Sequence, residues 1–554
     1  MLMSKDAGGG GVQPAPALGA AAVQLTPGVW PAAAAGLPFA AAAAGIHPNL
    51  DHRIALWLDE QIWGHRLWDA QSPWLIFLEF LTVAEACQRE GRLLEGDAAY
   101  PLRYRPRQRM PLRNILFNSD DATRVAEEQR DSTRAWEVWL ARMPESAGGV
   151  HSRDFSYLRQ RFFSFGEFAQ VVRLVRGAAV ERQSNKRWSS RFVFPFGPHA
   201  LYVDLNYNDA TGRPNREYIN FGRSGELLYM MLSRSARRAE IAPVVRGMVA
   251  GTNRWDRLVA TLQPEGEEDR ADEGNSCYLP YLRHPIFDSL ARDWLAISRL
   301  QLPQFDGYPH LVTLGALHLL RYHLAIAGTW SGEGDRPALV CEIVAPKKTL
   351  VRDLAVRSYG QNDGLSTRAV EQFVERIRRS AAWREATASQ DAFERCRGVL
   401  REAVFGNGTG RWWGDTYEGA NNPEDLLAAL KRDARKDHQR HAAQVHRSYG
   451  REIGLVSRRG TTRFRYAPTD QLMKTLLFAS VGRRMEFGEF LGLLYERYGL
   501  VIGDREAELA LPTDDFDRKA FQANARRLEE RLASLGLLRR LSDACAYVEN
   551  PYGG

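Results

Sequence analysis

Cysteine is scarce in this 554-residue chain: Cys87, Cys277, Cys341, Cys396 and Cys545 lie far apart and form no C-x-x-C pair. That spacing excludes a cysteine-rich zinc module, and an odd, sparse set predicts free, mostly buried thiols in a reducing compartment. Long hydrophobic runs are equally rare. The segment GVWPAAAAGLPFAAAAAGI at 28–46 approaches the length of a membrane span, yet Pro31 and Pro38 interrupt it and alanine is only marginally apolar. No basic stretch stands immediately before it, as a signal peptide requires. The expectation is a cytoplasmic protein with no membrane partner.

Catalytic signatures are missing too. Gly406, Gly408 and Gly410 suggest a phosphate cradle but lack the G-K-[ST] ending, with Trp412 and Trp413 where a helix should start. DLNYNDATGRPN copies the first half of a calcium loop, but Asp209 stands where glycine is needed and Asn215 where a bidentate glutamate is needed. A polar hairpin tip fits better. Gly222-Arg223-Ser224-Gly225 is not G-x-S-x-G, and Ser224 reads as a helix cap. Asp335, Glu342 and Lys347 surround an apolar strand like the acids and lysine of a metal-dependent nuclease. The lysine follows the glutamate by five positions where two are required. No catalytic residue, metal or cofactor is assigned, and a divergent nuclease is kept as an alternative.

What is present is an ordinary globular composition, 44% hydrophobic and 25% charged, in a chain long enough for roughly two to four domains. The pattern predicts a mainly α-helical, multidomain α+β fold with small sheets and hairpins. The boundaries read as an Ala/Gly/Pro-rich disordered tail at 1–48, a Trp-rich helical domain with an Arg/Pro arm at 49–150, and a central α+β domain at 151–410. A basic helix and hairpin at 411–466 and a winged-helix domain at 467–554 complete them. Ser72-Pro73 starts a helix, YPLRYRPRQRMPLRNILF should run extended, and 308–328 is an apolar helix for a sizeable core. Phe192, Phe194 and Phe196 alternate as a strand, 263–276 is an acidic loop, and Ser366 and Ser389 read as helix caps. Trp57, Trp63, Trp68 and Trp74 are core aromatics before they are a stacking cage, and His310, His318 and His323 are core histidines.

Charge is concentrated in one place. Between Lys431 and Arg465 eleven cations face only Asp433, Asp437 and Glu452, a net +8 against +7 for the whole chain. Asn422 caps and Pro423 opens a helix that should run to 447 and grow basic toward its end, with His438, His441 and His446 on the basic face. Two short strands then meet at an arginine-rich tip near Arg458, Arg459 and Gly460. Lys431, Arg432, Arg435, Lys436, Arg440, Arg458, Arg459, Arg463 and Arg465 are candidate phosphate contacts, since so many cations can hardly be core.

Residues 467–554 are compact in pattern. Thr469 caps a first helix, Glu486 begins a second, and a third carries the stripe Phe521, Ala525, Leu528, Leu532 and Leu535. Gly536 stops it, and LLRRLSDACAYVEN forms a hairpin turning at Ser542-Asp543. Three helices and a two-stranded wing predict a winged helix-turn-helix. Lys519, Gln522 and Arg526 occupy the face a recognition helix would turn to a groove, and Arg539 and Arg540 stand on the wing.

YAPTDQLMKTLLFASVGRRMEFGEFLGLLYERYGLVIGDREAE with LEERLASLGLLRRLSDACAYVENPY resembles the C-terminal part of subunits from bacterial anti-phage defence clusters of the methylation-associated or restriction type. The resemblance carries no catalytic residue. It implies a non-catalytic subunit beside a methyltransferase, nuclease or ATPase. The expected function is therefore a DNA-associated adaptor or sensor, the alternative a scaffold whose winged helix docks partner proteins.

Overall fold

The computed structural model describes residues 54–553 apart from 65–66, 96–101, 108, 147–153, 178–196, 202–204, 208–213, 217–222, 266–274, 278, 301, 303–305, 406–411, 459–462 and 543–544. The N-terminal tail, the Phe192–Phe196 strand, most of the acidic loop, the glycines 406, 408 and 410, and Arg459 lie outside the described residues.

The chain is mainly helical with small sheets. Its axis is Tyr308–Ser331, a 24-residue helix apolar on nearly every face. By length and composition it could cross a membrane, but 89% of its apolar window is buried inside the protein. Pro73–Arg89, Pro285–Arg299, Leu365–Arg378 and Val445–Glu452 surround it. One apolar core built around this helix draws residues from Leu58 to Val548. The helices of 110–177 and Arg254–Ala260 form a second core around Trp136, Trp139, Phe165 and Phe168.

Local chemistry explains most helix starts. Ser72 accepts from the Leu75 amide, with Pro73 at the first position. Thr349 and Ser380 cap Leu350–Asp363 and Ala381–Thr387 in the same way. Ser366 is not a cap as the sequence suggested, because the helix already begins at Leu365 after Gly364. Ser224 is not one either. It is the first residue of Ser224–Ser233, and its hydroxyl meets Tyr449 Oη at 3.0 Å. The orphan amides there are satisfied from another helix: buried Glu79 accepts from the amides of Arg223 (3.2 Å) and Gly225 (2.8 Å). The Arg/Pro stretch runs extended only at first. After the strand Leu102–Tyr104, Pro111 sits in the first turn of the helix Met110–Phe117, where its missing amide costs nothing.

The C-terminal region joins the central one through a two-residue parallel ladder, Leu339–Val340 with Leu500–Val501. Asn524 ties this junction from the Arg518–Ser534 helix: its side chain donates to the carbonyls of Cys341 (2.9 Å) and Ile502 (3.0 Å) and accepts from the Ile343 amide (2.8 Å). Thr469 caps Asp470–Ser480, and Phe487–Tyr498 and Arg518–Ser534 follow. In the apolar stripe Phe521, Leu528 and Leu532 are buried and Ala525 partly so, while Leu535 is 43% exposed. A three-stranded antiparallel sheet has the order Leu538–Ser542, Cys545–Glu549, Arg484–Glu486.

Candidate nucleic-acid interface

The basic segment starts as expected, with Asn422 Oδ1 accepting from the Glu424 amide (2.9 Å) and Pro423 opening the helix. That helix ends at His438, not 447, and a short 3₁₀ turn leads into Val445–Glu452. The break coincides with histidines that turn inward. His438 is fully buried: Nδ1 lies 2.7 Å from Asp59, Nε2 lies 3.0 Å from Ser366 Oγ, and the ring stacks on Trp63. His446 is buried between Asp363 (3.0 Å) and Tyr466 Oη (2.8 Å), and His441 stacks on Trp68 at 4.0 Å between centroids. The three are interior and junction groups, which corrects the basic-face expectation. Asp59, His438 and Ser366 follow the order of a hydrolase triad, but all three are buried. They tie the basic segment to the core.

The cations divide into three groups. Lys431 pairs with Glu375 (3.0 Å), Arg435 with Glu371 (3.2 Å) and Arg440 with Asp437 (3.2 Å). Lys431 holds the Glu375 carboxyl below its usual range. Arg432, Lys436, Arg458 and Arg463 are exposed. Arg465 is 1% exposed and forms a buried ion pair with Glu342, itself 0% exposed. Arg465 is thus a core residue, contrary to the sequence expectation, because Glu342 lies opposite it where the Glu342 amide bonds the Tyr466 carbonyl (3.0 Å). The same pair dissolves the nuclease constellation. Glu342 is committed to Arg465, while Asp335 and Lys347 are exposed. Among the described residues no group of three or more His, Cys, Asp or Glu side chains could hold a metal.

Arg463 and Phe464 border a groove of about 850 Å³ whose other wall is the Leu350–Asp363 helix with Lys348. Lys348, Arg352, Arg357 and Arg463 line it beside Tyr359 and Phe464, against one acid, Asp353. Phe464 is half-buried, with the guanidinium carbons of Arg458 at 5.1 Å and Arg447 at 5.7 Å over its ring. Tyr359 packs on Phe464 at 5.7 Å. Burial and the neighbouring Asp363 push its phenol up, so it is neutral. Lys348 pairs with Asp353 (3.1 Å) and Arg357 with Asp515 (2.6 Å), pairings exposed enough to exchange at little cost. A cationic trough of this kind can follow a phosphodiester backbone. Sequence reading missed Lys348, Arg352 and Arg357, whose signal was the four-residue spacing of Lys348 and Arg352 at a helix start.

In the C-terminal region Lys519, Gln522 and Arg526 are exposed on one helix, and Gln522 donates to Asp504 (2.9 Å). Arg539 is exposed, and Arg540 pairs with Glu529 (3.0 Å).

Residues 426–552 match the family model of methylation-associated defense system protein MAD7. The MAD7 match opens inside the basic helix and takes in the hairpin, the last three long helices and the three-stranded sheet. It therefore contains Arg458, Arg463 and Phe464 but not Lys348, Arg352 or Arg357. No curated protein and no solved structure matches the chain.

Proposed function

We propose that this protein is a cytoplasmic, non-catalytic adaptor or sensor of a methylation-associated defence system that contacts duplex DNA. The observation that carries the reading is the cationic groove at Arg463 and Phe464, lying within and beside the region that resembles MAD7. Residues 467–554 are read as a winged helix whose wing is the hairpin Leu538–Ser542 and Cys545–Glu549, a second surface for DNA. Partners would be a methyltransferase, nuclease or ATPase of the same cluster. Titrating salt into the duplex complex tests this. If several phosphates are neutralised, the logarithm of affinity falls steeply with the logarithm of salt, by about 0.9 per phosphate. A flat dependence, or no binding at low salt, removes DNA from the reading.

A second reading has its own observation. Leu509 is 76% exposed, Leu541 55% and Leu535 43%, apolar side chains on the C-terminal region. They suit docking to a protein partner, with the winged helix serving as scaffold.

A further inference from the structure

A second cavity, of about 720 Å³, lies in another part of the chain, outside the region that resembles MAD7. Arg107, Arg109, Arg161, His199 and Arg257 line it with one acid, Glu265, and Arg107 also pairs with Glu85 at 3.6 Å. The lining residues come from four stretches of chain, around 107–109, 161, 199 and 257–265, so the clustering is tertiary. Their positions are built. Arg109 is 6% exposed and holds the left-handed conformation (φ 43°), uncommon for a side-chain-bearing residue. Its guanidinium donates to the Pro198 carbonyl (2.7 Å) and to that of Leu201. Arg161 donates to the Thr261 carbonyl (3.1 Å) and that of Gln263, and lies over the Tyr157 ring. Carbonyl acceptors orient both guanidiniums.

His199 is fixed as firmly. Its Nδ1 lies 2.6 Å from Asp256, whose carboxylate is fully buried and also accepts the His199 amide (2.8 Å). Gly197 (φ +105°) and Gly251 (φ +67°) make room for that carboxylate: a Cβ would stand 2.9 Å from Asp256 Oδ1 at the first and 3.0 Å from Oδ2 at the second. Asp256 thus engages Nδ1 and leaves Nε2 as the nitrogen for a ligand. Glu265 reaches Arg161 (3.2 Å) but is 96% exposed, so water screens most of its compensation.

We infer that this cavity binds a small oligophosphate anion through Arg107, Arg109, Arg161, His199 and Arg257. Planar guanidinium forks match phosphate oxygens, and the volume suits a compact ligand. Among the described lining residues only Pro111, Ala260 and Pro264 are apolar, and none is Phe, Tyr or Trp. Phosphates therefore carry the affinity.

Calorimetric titration of the full chain at constant ionic strength, with tripolyphosphate, ATP and adenosine, tests this. Tripolyphosphate and ATP should bind within a few-fold of each other and adenosine not at all. Arg257 is exposed, so Arg257→Ala should melt like the parent protein while weakening both anions roughly tenfold or more, the value of a charge-assisted hydrogen bond. Absence of tripolyphosphate binding overturns the inference, and so does parental affinity in Arg257→Ala. Loss of duplex-DNA binding in that variant would also overturn it, by assigning the cavity to DNA. The adaptor reading rests on other residues and survives any of these results.

Discussion

His284 precedes the Pro285–Arg299 helix, and its Nδ1 accepts from the Ile286 amide at 3.2 Å. An accepting nitrogen must be unprotonated. Burial, with Arg321 nearby, pushes the His284 imidazole down to about 4, and burial with Lys474 does the same to His310, also to about 4. In the unfolded chain both return to an ordinary value near 6.5. The neutral ring's contribution is therefore intact above about pH 6.5 and is lost as pH falls from there toward 4, where the unfolded state takes up protons that the native state resists. A tenfold weakening of proton affinity corresponds to about 1.4 kcal/mol, so each histidine removes on the order of 3 kcal/mol by pH 4. Thermal melting between pH 7 and 4 should show this decline, and His284→Asn, which keeps an acceptor without titrating, should flatten it. An unaltered pH profile in that variant would defeat the argument. The inward role of His310 was legible from the apolar helix that carries it, whereas that of His284 was not visible locally. Nor was that of His438 and His446: their partners Asp59 and Asp363 are 379 and 83 residues away, and sequence proximity to lysine and arginine pointed the other way.

At the scale of elements, the crossing of Pro73–Arg89 and Ser224–Ser233 depends on one glycine. A Cβ at Gly225 would lie 2.6 Å from both the Ile76 carbonyl oxygen and Glu79 Cβ. The carbonyl belongs to a buried helix and cannot yield. Gly225→Ala should therefore destabilise the fold by about 1–3 kcal/mol, the range for overpacking, and disturb the Glu79 cap. Chemical denaturation would measure it, and a change below about 0.5 kcal/mol, the scale of neutral surface substitutions, would show that the helices separate freely. Self-contained signals were legible in sequence. Ser72, Asn422 and Thr469 cap from within their own turn, and the stripe from Phe521 to Leu532 follows from its period. Signals supplied by another element were not. Glu79 caps a helix 144 residues away, and the end of the Pro423–His438 helix coincides with hydrogen bonds to Asp59 and Ser366. The groove shows the same division: Arg463 stood out in a charge run, whereas Lys348, Arg352 and Arg357 acquire meaning only when their helix lies beside Phe464.

At the scale of the whole molecule the question is which surface would carry DNA. The segment Lys431–Arg465 has a formal +8, but Glu371, Glu375 and Glu342 from outside it pair with three of its cations, which leaves +5. Those charges are not spread over the Pro423–His438 helix. They concentrate around Arg458 and Arg463, where the groove adds Lys348, Arg352 and Arg357. The Arg518–Ser534 helix offers Lys519 and Arg526 on a background that includes Glu529 and Glu530. Exchanging Arg458 and Arg463 together for alanine should thus lower the salt slope of duplex binding by about two, roughly 0.9 for each phosphate that is no longer neutralised. Exchanging Lys519 and Arg526 should lower it by less. Both pairs are exposed, so melting temperatures should stay near the parent's, which distinguishes weakened DNA binding from damaged folding. If instead the second exchange flattens the slope and the first leaves it unchanged, DNA lies on the proposed winged helix and the groove serves another partner.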